Sequence, residues 1–220
     1  MTERKDTMAD VPKILIAIPC MDMVHTDFMI SLNNLQRIGA TSCAVTKSSL
    51  VYSARNSLVK QAIEKGYDRI LWLDSDMAFD SDLLAKLSAH IDNGCEYVSG
   101  LYFKRTYPTE PVLYKSIEQR QAEDGLSTDA LVYADYPKDQ LFEVAATGFG
   151  AVMMTTDLAK RVYDEYGLPF SPTLGLGEDL SFCLRAKSVG AKLYCDSSIK
   201  LKHIGLTSFD EITYLSQFEE

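Results

Sequence analysis

The chain has 220 residues, 46% of them apolar and 10% aromatic, enough to bury a substantial core as one large domain or two small ones. With 22 basic against 31 acidic residues it carries a formal charge of -9, which argues against tight binding to duplex nucleic acid, where phosphate neutralisation dominates. Five cysteines without a CxxC pair read as reduced thiols of a cytoplasmic protein, and no apolar run is long enough to span a bilayer. Residues 1–10 are polar and lack an apolar signal-peptide core, so they are expected to be a tail. No Pro/Gly/Ser-rich linker, repeat or low-complexity tract divides the rest, which favours one domain over 11–206 and a short acidic tail over 207–220.

Lys13 to Pro19 is a continuous apolar run, as in a strand buried on both faces. Phe28, Leu32, Leu35 and Ile38 recur at helical spacing until Gly39, and Ser42 to Thr46 reads as a short strand. Leu58, Val59, Ala62 and Ile63 mark a helix with Ser53 as its expected N-cap and Gly66 at its end. Arg69 to Leu73 is a third strand. Leu83, Leu84, Leu87 and Ile91 mark a helix capped by Asp80 or Ser81 and ended by Gly94, and Tyr97 to Tyr102 is a fourth strand. Strands alternating with helices predict an α/β fold with a mostly parallel sheet, whose ligands bind beyond the carboxyl ends of the strands.

The second half changes character. Residues 111–114, 131–133 and 141–144 read as shorter strands of a smaller mixed β region, and 118–129 as the least structured stretch. Gly148-Phe149-Gly150 precedes an apolar run over 151–154. A helix capped by Asp157 follows, broken by Gly167 and Pro169. A partly buried helix carries Phe182 and Leu184 and ends at Gly190, and 192–195 reads as a strand. Cys183 and Cys195, amid apolar neighbours, are expected in the core.

The chemistry concentrates at two places. Asp74-Ser75-Asp76 closes the third strand, and residues two apart share a strand face, so two carboxylates emerge together where a buried strand ends. Such a pair repels itself, and a divalent cation with hard oxygen ligands relieves the strain, although a solvated turn carries the same residues. Gly175-Leu176-Gly177 then leads into Glu178-Asp179 at a helix start, where two carboxylates suit the helix dipole and either could serve only as a cap. The flexible lead-in favours a ligand approached closely by backbone. His203, before Ile204-Gly205, adds an imidazole that tilts a cation site toward Mn²⁺ over Mg²⁺.

Together with Ile16 to Pro19, Ala54-Arg55-Asn56 and Thr147 to Gly150, these motifs make the chain resemble the GT-A glycosyltransferases, in the family's order, from about residue 11 to 205. The resemblance implies a nucleoside-diphosphate sugar as donor substrate and Mn²⁺ or Mg²⁺ as cofactor. It implies Asp76 as the principal metal ligand, Asp74 touching metal, ribose or sugar, and His203 as a late metal ligand. Arg55, with Asn56, would contact nucleotide or donor sugar, Pro19 would border the base, and Gly148 would face donor and acceptor. Glu178 and Asp179 would be the catalytic carboxylates facing the acceptor. Lys104 and Arg105 are weaker candidates for phosphate, equally explained as a solvated strand end. Rival readings are a nucleotidyltransferase on a related sheet and a non-catalytic nucleotide-sugar-binding module. A haloacid-dehalogenase-like phosphatase is disfavoured because Met77-Ala78 stands where Gly-Thr would follow the aspartates. The acceptor, the stereochemistry and the oligomeric state are left open by the sequence.

Overall fold

A computed structural model of the chain describes residues 11–122, 125–173, 175–205 and 208–218; the expected tail over 1–10 lies outside them. In chain order the first half holds β1 (Lys13–Cys20), α1 (Thr26–Asn34), β2 (Ala40–Lys47), α2 (Val51–Glu64), β3 (Arg69–Leu73), β4 (Met77–Ala78), α3 (Leu83–Asp92) and β5 (Tyr97–Leu101). The second half holds β6 (Leu113–Ala122), β7 (Gly125–Val132), β8 (Leu141–Val144), β9 (Ala146–Thr147), β10 (Ala151–Thr155), α4 (Thr156–Tyr166), α5 (Glu178–Ser188), β11 (Leu193–Lys200), β12 (Lys202–Ile204), β13 (Ser208–Phe209) and α6 (Glu211–Leu215).

The central sheet has the order β2-β1-β3-β10-β5-β11-β8. Strands β2, β1, β3, β5 and β11 run one way, and β10 and β8 run against them. The apolar run of β1 is continuous because both its faces are covered. Leu15 and Ala17 point into one core with α2, α4 and α5, while Ile14, Ile16 and Ile18 point into another with α1 and α3. Cys183 and Cys195 are fully buried in the first of these. Among the described residues no helix is long and apolar enough to cross a membrane.

The expected run of parallel strands is interrupted. β10 comes late in the chain, yet it inserts between β3 and β5 and pairs antiparallel with both. The stretch 118–129, expected to be the least structured, is a long β6–β7 hairpin in which Glu118 pairs with Asp129. Residues 208–218, set apart in the sequence as a tail, form β13, α6 and a 3₁₀ turn, and Tyr214 stacks on Phe103 at 5.0 Å.

Helix starts moved as well. α2 begins before Ser53, with Leu50 at its N-cap and the Leu50 N–H donating to Ser48 Oγ. α3 starts at Leu83 after Asp82, and Asp80 contributes its carbonyl to the Leu83 N–H rather than a side-chain cap. Thr155, not Asp157, caps α4 by accepting from the Leu158 N–H. α1 stops at Asn34, so Leu35 and Ile38 continue its apolar stripe from an extended segment. Gly66 ends α2 in the left-handed region, at φ +61°, where a side chain would be strained.

Candidate active site

The carboxyl ends of β1 and β3, the start of α2, the loop after β5 and the N-terminus of α5 open onto one cleft of about 700 Å³. β3 delivers Asp74 and Asp76 there. The Asp74 N–H donates to the Gly150 carbonyl at 3.1 Å, and the Met77 N–H closes the turn on the Asp74 carbonyl at 3.2 Å. The chain then enters the small sheet β13-β12-β4, whose register sets His203 opposite Met77. The Ile204 N–H donates to the Asp76 carbonyl at 2.8 Å. This backbone pairing brings His203 Nε2 to 3.6 Å from Asp76 Oδ2.

Asp74 and Asp76 live in different environments. Asp74 accepts from Arg55 Nη2 at 2.8 Å, and Arg55 Nε lies 3.5 Å from Glu178 Oε1. Arg55 is only 2% exposed. Its guanidinium lies 5.2 Å from the ring centre of Phe149, 5.7 Å from Trp72 and 5.8 Å from Phe170, and its Nη1 has no hydrogen-bond partner among the described residues. Burial pushes the Asp74 carboxyl above its ordinary value against the pull of Arg55. Burial also raises Asp76, but there the hydrogen bond and charge of His203 and the charge of Arg105 outweigh it, and the carboxyl ends below its ordinary value. Environments that push two carboxylates apart mark two roles. Asp74 is paired with the buried Arg55, and Asp76 with the half-exposed Arg105 at 2.8 Å and with His203.

His203 is oriented for ligation. A backbone carbonyl only accepts, so the 2.9 Å contact to Phe103 O places a proton on Nδ1 and turns Nε2 toward Asp76, where a bound cation would take the place of an Nε2 proton. Tyr102 backs the imidazole edge-on at 5.6 Å. One carboxylate and one imidazole suit Mn²⁺ and leave coordination positions for oxygens brought by a ligand. The expected three-residue set is not preassembled. Among the described residues no three His, Cys, Asp or Glu side chains gather as a cation cage, and Asp74 is taken by Arg55.

Across the cleft, Gly177 stands at the N-cap of α5 without a side chain to cap it, and Glu178 and Asp179 place two carboxylates in the first turn, where they suit the helix dipole. Asp179 Oδ1 accepts from the Leu180 N–H at 2.7 Å. Burial, then repulsion from Glu178, raise the Asp179 carboxyl to about 6. Asp179 is thus a carboxylate with unusual proton affinity, while Glu178 is spent on orienting Arg55.

Pro19, Arg55, Asp74, Asp76, Glu178, Asp179 and His203 all line the cleft; Asn56 and Gly148 do not. Asn56 Oδ1 accepts from the Phe170 N–H at 2.9 Å and holds that segment under the aromatic cluster. Gly148 is buried where any side chain would collide with the Tyr102 hydroxyl and Val112. Its role is to admit Tyr102, whose hydroxyl accepts from the Gly150 N–H at 3.1 Å. Tyr102, Tyr114 and the Ser48-Ser49 rim were not assigned to the site from sequence. The Gly-Phe-Gly run was the available signal for Tyr102, because two glycines flanking one aromatic residue announce a close neighbour.

Neither a protein-family profile nor a curated protein sequence matches the chain. Solved structures do. A crystal structure of A197 from STIV superposes with a TM-score of 0.62 at 19% identity, over 88% of this chain and 86% of that one. A crystal structure of GalNAc-T7 with UDP, GalNAc and Mn²⁺ superposes with a TM-score of 0.59 at 12% identity, over 89% of this chain and 43% of that one. The fold is GT-A-like. The chain spans less than half of the GalNAc-T7 chain, and at these identities the likeness concerns the fold.

Proposed function

We propose that the chain is a metal-dependent glycosyltransferase that moves a sugar from a nucleoside-diphosphate sugar to an acceptor hydroxyl. The observation that carries this reading is that one cleft holds an imidazole–carboxylate pair, His203 and Asp76, facing a carboxylate with raised proton affinity, Asp179. A fold shared with a structure containing UDP, GalNAc and Mn²⁺ supports it.

Asp76 and His203 would hold the cation, and a divalent ion bound there supplies Lewis-acid neutralisation of the charge that develops on a departing diphosphate. Asp179 acts on the acceptor. Its carboxylate takes the proton of the attacking hydroxyl as the new glycosidic bond forms, which general-base catalysis accelerates by about 10²–10⁴-fold. A pKa of about 6 keeps it mostly ionised near neutral pH while leaving it a better proton acceptor than an ordinary aspartate. Arg55 fixes Asp74 and Glu178 on opposite sides of the cleft floor, so the two halves of the site keep their spacing. Pro19 and Ser48-Ser49 form the wall beyond β1 that receives the nucleoside.

Incubation with sugar nucleotides, Mn²⁺ and acceptor pools tests the reading. Release of free nucleoside diphosphate coupled to a glycosylated product supports it. Release of pyrophosphate identifies nucleotidyl transfer instead. Saturable nucleotide binding without any turnover identifies a binding module.

A further inference from the structure

Two arginine–aspartate pairs sit in this cleft, and they differ in how firmly they are held. Arg55 with Asp74 is the buried one. Arg105 Nη1 lies 2.8 Å from Asp76 Oδ2, with the arginine 46% and the aspartate 28% exposed. That same oxygen faces His203 Nε2 at 3.6 Å. A cation gripped by Asp76 and His203 must therefore contend with a guanidinium already resting on the carboxylate, since two positive charges at contact distance repel.

We propose that Arg105 is an exchangeable counter-ion: it neutralises Asp76 until a diphosphate draws it away, so that cation and diphosphate enter the cleft as a coupled pair. The proposal rests on reading the cleft as a metal-dependent nucleotide-sugar site. Of the basic side chains lining it, Arg55 is buried with Nη2 on Asp74 and Nε toward Glu178, and Lys104 Nζ lies 2.7 Å from Glu110. Arg105 is the one whose partner is the prospective cation ligand itself, and a planar guanidinium matches phosphate oxygens in pairs.

The surroundings let the side chain move without the loop. The segment that carries Arg105 is pinned at its base by Val112 N–H to Tyr102 O at 3.0 Å and Lys104 N–H to Glu110 O at 2.8 Å. Thr109 Oγ1 adds a bond to Lys104 O at 2.6 Å. The Arg105 stem passes over Gly205, where a side chain would meet its Cδ at 3.2 Å, so the glycine after His203-Ile204 leaves the path open. Nη1 also donates to the Ile204 carbonyl at 3.2 Å, a neutral contact that can keep the guanidinium beside the site after Asp76 is taken.

Linkage makes the idea measurable, because a diphosphate that removes Arg105 must tighten cation binding by the factor by which the cation tightens diphosphate binding. Mn²⁺ affinity of the full chain, read from the paramagnetic resonance of the free ion, is compared with and without saturating UDP and, separately, GDP, for the wild type and Arg105→Gln. In the wild type the nucleotide should tighten Mn²⁺ binding by about 5–150-fold, the usual range of such couplings. In Arg105→Gln, Mn²⁺ alone should bind up to about fivefold more tightly, the worth of an exposed ion pair, while the nucleotide coupling shrinks. Arg105→Lys, which keeps the charge and loses the fork, should leave Mn²⁺ alone near the wild type and recover only part of the coupling. Unchanged or weaker Mn²⁺ binding in Arg105→Gln, beside a wild type that shows the coupling, overturns the exchange and leaves the proposed function standing. A wild type that takes up no Mn²⁺ with either nucleotide overturns both.

Discussion

Arg55 Nη2 lies 2.8 Å from Asp74 Oδ1, on a guanidinium that also faces Glu178 and is walled by Trp72, Phe149 and Phe170. One buried charge thus ties the end of β3 to the start of α5. The sequence pointed to Arg55 as a contact for the nucleotide; its burial makes it the brace beneath the site. Removing one partner of a buried pair leaves the others uncompensated, so Arg55→Met is expected to destabilise the fold by about 3 kcal/mol, toward the low end because Asp74 is 30% exposed and can take up water. Denaturant unfolding checks this, and a midpoint equal to the wild type would remove the brace.

Asp179 sets the pH dependence. Its carboxyl is raised to about 6 in the folded chain, so the folded state holds its proton more tightly than the unfolded one. Stability from this group is therefore full below the ordinary carboxylate value and falls as pH rises through that value to about 6. Asp179→Asn removes the penalty. The variant should be more stable than the wild type by about 1–3 kcal/mol at pH 8 and show little gain at pH 4, by denaturant unfolding at both pH values. Turnover should fall by about 10²–10⁴-fold and lose its acid limb. An unchanged acid limb would assign that limb to another group.

Asp76→Asn should abolish turnover while leaving the thermal midpoint near that of the wild type, because the pair it breaks with Arg105 is partly exposed and worth little. His203→Ala should weaken Mn²⁺ binding by on the order of tenfold, about 1.4 kcal/mol. Ion titrations check both; an unchanged Mn²⁺ affinity in His203→Ala would return the imidazole to a packing role against Tyr102.

Gly148→Ala tests the slot that seats Tyr102. The added methyl collides with the Tyr102 hydroxyl and with Val112, and overpacking of this kind costs about 1–3 kcal/mol. Tyr102→Phe in the same chain removes the hydroxyl but not the Val112 contact, so the double variant should recover part of the loss. Strict additivity of the two changes would show that they do not share one space.

The strands that carry the site were legible because burial on both faces writes a continuous apolar run, as in Ile14 to Ile18 and Ile70 to Leu73. The cleft followed from the rule that such sheets bind at their carboxyl ends. Long-range pairing was not legible. Nothing local in Ala151 to Thr155 states that β10 enters between β3 and β5, and its apolar run suits either direction. The β6–β7 hairpin packs Leu113, Tyr114, Ile117 and Ala130 on the core, but between Glu118 and Asp129 its sequence is mostly polar and lacks the apolar alternation that marks a half-buried strand. At the site, residue type marked Asp74, Asp76, Glu178, Asp179 and His203 for the cleft, and all five line it; only the resemblance ranked Asp76 above Asp74, and residue type could not say how the two environments differ. That distinction depends on which arginine reaches each carboxylate, Arg55 from α2 or Arg105 from the loop after β5.

A crystal of the protein soaked with Mn²⁺ and UDP, with anomalous scattering recorded at the manganese edge, tests the central claim most directly. The account predicts one manganese peak bound by Asp76 and His203, bridged to the diphosphate, with Asp74 still on Arg55. A nucleotide seated in the cleft with no manganese at Asp76, or manganese bound elsewhere on the chain, would contradict it.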